Sequence, residues 1–198
     1  MLHVRSWIAS SLTLLAMTMG LAILPAVADA QEKQPFATIL PTPEIYAWWL
    51  RLEYHPFGAD VRGIPVGKIR AGWCKANEFR RELFPPEEAK AFEGGGMSFA
   101  VDGFFDGSKT KQTALVGIYE TCKGEHGVFL LVLDRPQRKP PVIKFVQEIP
   151  GEREFAMVYA EDASTIAVQH CMECDHFSKY RWSKARRRFV LLPPEPDE

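Results

Sequence analysis

The spacing of apolar residues along the chain changes once, at Gly94-Gly95-Gly96. Before it, intervals of three and four prevail. Ile45, Trp48, Trp49 and Leu52 recur at i, i+3, i+4 and i+7, the stripe that one face of an α-helix presents. Thr42-Pro43-Glu44 supplies a matching start, with Thr as N-cap, Pro at the first helical position and Glu in the first turn. His55-Pro56 supplies the stop. Residues 57–67 are turn-rich, with Gly58, Gly63, Pro65 and Gly67. A second helix is expected from Ile69 to Leu83 with Trp73, Cys74 and Phe79 inward, Gly72 being its weak point. Pro85-Pro86 ends it and opens a short third helix, Glu87 to Phe92.

After Gly96 the pattern becomes short apolar runs between turns: Met97–Val101, Thr113–Thr121, Val128–Leu133, Val142–Ile149, Phe155–Tyr159, Thr165–His170, Lys179–Trp182 and Phe189–Leu192. Ile166, Val168 and His170 alternate with Thr165, Ala167 and Gln169, and Tyr180 and Trp182 flank Arg181, the period of two that strands show. Leu130 to Leu133 is apolar on both faces and reads as a central strand. The short connections favour antiparallel pairing of neighbours. Helices precede strands without alternating with them. The expected class is therefore α+β, short N-terminal helices followed by an antiparallel β-meander sheet.

The N-terminus carries a different signal. Arg5 precedes an apolar run from Leu12 to Leu24, and Ala28-Asp29-Ala30 has the small-x-small form that signal peptidases cut. The run is shorter than the roughly 20 residues that span a bilayer, and no second run of that kind follows. Residues 1–30 are thus expected to be a cleaved secretory signal, 31–42 an extended leader, 43–192 a single globular domain, and 193–198 an acidic, Pro-rich tail. The mature protein is expected to be periplasmic or secreted, with no transmembrane segment.

Composition supports a folded chain, with 46% hydrophobic and 12% aromatic residues. A net charge of −1 argues against nucleic acid as the main partner. Four cysteines, an even number, favour disulfides in an exported chain. Of the three possible pairings, Cys74–Cys122 with Cys171–Cys174 is preferred, because the last two are too close in sequence to be independent.

Three stretches carry candidate chemistry. The segment Phe104-Phe105-Asp106-Gly107-Ser108, followed by the apolar Ala114-Leu115-Val116, resembles the Asp-Gly loop of FG-GAP or VCBS-type repeats, over about 20 residues and in one copy. The resemblance implies a strand–turn–strand unit. The family's loops bind calcium through alternating carboxylates. Here Ser108, Lys109 and Gln112 replace family positions, and a register starting at Asp102 retains only Asp102 and Asp106. A metal-free turn is therefore expected, because a calcium loop needs several hard oxygen ligands.

The second stretch is His170-Cys171-Met172-Glu173-Cys174-Asp175-His176. A structural disulfide, a thiol-redox pair, and a metal site of His170, Cys171, Cys174 and His176 all fit this spacing. The third is a basic run, Lys179, Arg181, Lys184, Arg186, Arg187 and Arg188, interleaved with Tyr180, Trp182 and Phe189. Lys179, Arg181, Arg186 and Arg188, with Trp48 and Trp49 on the first helix, are the candidate binding residues, and peptidoglycan or another anionic envelope polymer the candidate ligand. The plain alternative is a hairpin with one apolar and one solvated face, and Trp side chains in the core. No G-x-S-x-G, H-E-x-x-H or phosphate-binding glycine loop is present. No catalytic residue and no cofactor are assigned. The expectation is a non-catalytic envelope or secreted protein that binds a protein or polymer, with a metal-binding or thiol-redox protein as the alternative and a hydrolase with unmarked carboxylates as a third reading.

Overall fold

In the computed structural model the regular structure among the described residues is predominantly strand. The residues described are 35–41, 47–90, 98–136, 139–151, 155–171 and 176–194, all within one unit, Gln34–Glu198. The signal segment 1–30, the Thr42-Pro43-Glu44 helix start with Ile45, the three glycines, Cys174 and the end of the tail lie outside them, as does the Trp48 side chain.

Strand β1 (Ala37–Ile39) pairs antiparallel with β2 (Leu52–Tyr54), a 3₁₀ turn at Trp48–Arg51 between them. β3 (Asp60–Val61) and β4 (Ile64–Pro65) form a hairpin. Its turn residues Arg62 and Gly63 both have positive φ, 55° and 79°, as the tight hairpin turn demands. One helical turn, α1 (Val66–Ile69), leads to β5 (Trp73–Glu78), and a second, α2 (Pro86–Ala89), follows a 3₁₀ turn at Arg81–Leu83. Then come β6 (Ala100–Gly103), β7 (Gln112–Thr121), β8 (His126–Asp134), β9 (Val142–Pro150), β10 (Met157–Ala160), β11 (Thr165–Gln169), β12 (Phe177–Ser183) and β13 (Arg188–Leu191). β5 and β6 both pair with β7, and β7, β8 and β9 continue the larger sheet. β10 to β13 make a four-stranded antiparallel sheet of their own.

The α+β expectation is therefore corrected. The described N-terminal half holds helical turns of three or four residues and five strands, and no helix that could pack as a layer. The expected helix through Trp48, Trp49 and Leu52 is one 3₁₀ turn that runs straight into β2. The expected helix Ile69–Leu83 has β5 at its centre and only a 3₁₀ turn, Arg81–Leu83, at its end, and the third reduces to Pro86–Ala89 among the described residues. The cause in β5 is a bulge. Trp73 lies opposite Thr121 and Lys75 opposite Glu120, so Cys74 is an extra residue. The bulge brings Trp73 and Ala76 into the same core cluster. A spacing of three that suggests a helix is here a strand with one residue too many. Gly72, at φ 96°, makes the left-handed turn into it.

β7 and β8 are buried on both faces. Ala114, Val116 and Ile118 lie opposite Val132, Leu130 and Val128, and all six join the main core. Leu115 lies opposite Leu131, and both join a second core with Phe129, Leu133, Tyr119 and Trp73. The main core lies between the two large sheets, receiving Ile166, Val168, Tyr180 and Phe189 from the second. The second core is closed by Val61, Val66 and Ile69 of the β3–β4–α1 segment. Burying each such side chain contributes roughly 1.5–3 kcal/mol, so these two strands dominate the stability of the sheet. Gly117 sits at their centre, where a Cβ would come within 2.6 Å of the Phe129 ring and 2.2 Å of the Asn77 carbonyl.

Cys74, at the bulge, is bonded to Cys122, one residue beyond β7, across a sequence separation of 48. Closing a loop of that length removes about 4 kcal/mol of unfolded-state entropy. A Cys74→Ala/Cys122→Ala variant should therefore lose up to about that much stability, read as a lower urea midpoint with an m-value that rises as the unfolded chain is released from its cross-link. An unchanged midpoint would count against this role.

Candidate functional site

The loop between β6 and β7 carries the Asp-Gly resemblance. Phe105 is buried, Gly107 turns the chain at φ 70°, and the Gly107 N–H donates to the Phe104 carbonyl at 2.8 Å. Asp106 accepts at Oδ1 from the Ser108 N–H (2.8 Å) and Gln112 Nε2 (3.0 Å), and at Oδ2 from Lys144 Nζ (2.7 Å). Lys144 Nζ also lies 3.4 Å from Asp134 Oδ2, and Gln112 Nε2 lies 3.1 Å from Asp134 Oδ1. Asp102 is elsewhere, accepting from Thr113 and Lys111. The two carboxylates that converge, Asp106 and Asp134, thus share an ammonium.

Lys144 reaches this position because β9 is bulged there. Val132 lies opposite Phe145 and Leu133 opposite Ile143, leaving Lys144 as the extra residue. Its ammonium also stands 5.0 Å from the centre of the Trp182 ring, which belongs to the second sheet. One side chain therefore links a loop, two strands of one sheet and a strand of the other. Burial by itself would raise the Asp106 pKa, but the hydrogen bonds from Lys144 and Ser108, with the charge of Lys144, bring it down to about 2. Burial lowers the Lys144 pKa and is outweighed by Asp106 and Asp134, which raise it. Sequence reasoning missed this cluster. The available signal was one lysine inside the apolar run Val142–Ile149.

The basic run divides into two parts. On β12, Lys179 Nζ pairs with Glu161 at 2.7 Å, while Arg181 donates from Nε to Thr165 Oγ1 at 3.0 Å and lies 3.7 Å from Asp162. These cations are answered by the β10–β11 turn. Asp162 is held below the usual carboxylate range, chiefly by the Ser164 N–H and the Thr165 hydroxyl. Lys184, Arg186, Arg187 and Arg188 stand at the exposed β12–β13 turn, and form no ion pair among the described residues. Ser183 Oγ accepts the Arg186 N–H at 3.2 Å, and Arg187 takes φ 49°. The interleaved aromatics point inward, with Tyr180 and Phe189 buried and Trp182 edge-on to Phe189 at 5.2 Å. Trp49 likewise packs against the main core. Trp49, Tyr180, Trp182 and Phe189 thus serve the core, and the exposed cations stand apart from them.

At the end of β11, His170 and His176 come together with ring centres 5.1 Å apart. The His170 N–H donates to the His176 carbonyl at 3.2 Å, and His170 Nε2 shares a hydrogen bond with Ser178 Oγ at 3.0 Å. Burial, then the neighbouring His176, lowers the His170 pKa. Cys171 is buried and disulfide-bonded, so its sulfur is not a thiolate ligand in this state. Its expected partner, Cys174, lies outside the described residues. Among the described residues no group of three His, Cys, Asp or Glu side chains is placed to hold a metal ion.

With that geometry in view, the chain was compared with known proteins: no family model, curated protein or solved structure matches it. The functional reading therefore rests on the residues themselves. No helix among the described residues is long and apolar enough to cross a membrane.

Lys144→Met should leave Asp106 with only its bonds from Ser108 and Gln112 and cost about 2 kcal/mol, less than a fully buried pair because Lys144 is partly exposed. The sign with pH follows from Asp106. Its folded-state pKa of about 2 lies below the ordinary 3.8, so its contribution is present above pH 3.8 and lost as the pH falls through 2. In the variant the Asp106 titration, followed by carboxyl NMR, should move upward and the acid unfolding midpoint with it. Coincident acid transitions would refute the pairing.

Proposed function

We propose that this is an exported, non-catalytic envelope or secreted protein that binds an anionic partner, an envelope polymer by preference, through the tip of the β12–β13 hairpin. One observation carries the reading. Lys184, Arg186 and Arg187 on the turn and Arg188 at the start of β13 are all exposed and form no ion pair among the described residues, whereas the neighbouring Lys179 and Arg181 are matched by Glu161 and Asp162. Four cations without an ion pair among the described residues, on a chain of net charge −1, make a local positive field rather than a general one. The rigid sheet behind the turn holds that field in place. Export is supported by the signal-like pattern of residues 1–30 and by the Cys74–Cys122 disulfide, a bond that persists in oxidising compartments.

Retention on an immobilised polyanion such as heparin tests the binding reading. The wild-type protein should elute with added salt, since each neutralised anion releases counterions. Arg186→Glu/Arg188→Glu should elute much earlier, while Lys123→Glu, on the β7–β8 turn, should elute as wild type. Equal elution of all three proteins would sink the proposal. Export is tested separately by N-terminal sequencing of the protein recovered outside the cytoplasm, with Gln31 expected as the first residue and Met1 as the contrary result.

A further inference from the structure

The geometry points to a second site, independent of the basic hairpin: a two-imidazole site at His170 and His176 that takes a borderline divalent transition-metal ion such as Cu2+ or Zn2+. The first support is distance. A metal–nitrogen bond is about 2.0–2.1 Å and a ring nitrogen lies about 1.1 Å from its ring centre, so two imidazoles on one tetrahedral ion have centres about 5.2 Å apart. The observed separation is 5.1 Å. That ring-centre separation is the one two imidazoles sharing a single ion would have.

The second support is the shell behind the rings. Metal-bound imidazoles characteristically donate their other N–H to a fixed acceptor, which orients the ring and selects the tautomer. His170 Nε2 is hydrogen-bonded to Ser178 Oγ on β12. With Nε2–H donated there, Nδ1 keeps its lone pair for the ion. The His170 N–H to His176 carbonyl bond ties the two residues together across the connection. The adjoining Cys171, buried and disulfide-bonded, further restrains the backbone.

The third support is access. His170 is buried, but His176 is exposed, so an ion can enter from solvent without opening the sheet. With Cys171 oxidised, the donors among the described residues are the two imidazole nitrogens. This donor set suits Cu2+ and Zn2+ rather than Ca2+ or Mg2+, with Cu2+ bound more tightly.

The test is calorimetric titration of the oxidised protein with Zn2+ and with Cu2+, combined with NMR of the histidine rings during the Zn2+ titration. One equivalent should bind, with the His170 and His176 resonances moving together. His176→Ala changes an exposed residue and should lower affinity at least about tenfold, and Ser178→Ala should do so by a similar factor. His126→Ala, at the start of β8, should leave affinity unchanged, and the melting temperature of each variant reports its fold. Absence of binding, a His176→Ala affinity equal to wild type, or movement of other histidines instead would overturn the proposal. Binding that begins only after the disulfides are reduced would also overturn it, by assigning the ion to thiolates.

Discussion

Two strands with no polar face set the terms for the rest of the molecule. β7 and β8 present apolar side chains both above and below the sheet, so neither face can be left to water. One face takes the four-stranded sheet β10–β13, and the other takes the β3–β4 hairpin with α1. The chain around these strands is arranged as two covers. Gly117 shows how close the fit is, since even a methyl group there would strike Phe129 and the β5 backbone.

Lys144 links the central sheet to one of these covers. Its ammonium lies between Asp106 and Asp134 and near the face of Trp182. A nearly buried carboxylate would otherwise need another cation or a proton. A loop that resembles a calcium-binding turn thus has a charge from its own chain beside its central carboxylate. On the far side of the same sheet, Glu148 plays a comparable part, accepting from Trp73 Nε1 at 2.8 Å and from Arg70 at 2.7 Å.

The proposed binding surfaces lie at the strand ends of the second sheet. The β12–β13 turn concentrates charge that the core does not need, and the β11–β12 connection brings two imidazoles together beside an oxidised cysteine. Both are connections held by paired strands, the usual arrangement for binding residues on a rigid scaffold. The two proposals rest on different chemistry, a polyanion at one connection and a transition metal at the other.

What the sequence determined by itself was local. Alternation and short turns located the strands after Gly96, the two-sided apolar run marked Leu130–Leu133 as central, and cysteine usage pointed to Cys74–Cys122. Each follows from a residue's near neighbours or from a count. Tertiary structure decided what depends on register. Bulges at Cys74 and Lys144 each insert one residue into a strand. The first gives Trp73 and Ala76 a helix-like spacing, and the second carries Lys144 into the ion cluster. A bulge exists only relative to the strand it faces, so periodicity within one segment cannot reveal it. The division of the basic run, with Lys179 and Arg181 neutralised and the turn residues free of ion pairs among the described residues, likewise depended on the placement of Glu161 and Asp162 by another hairpin.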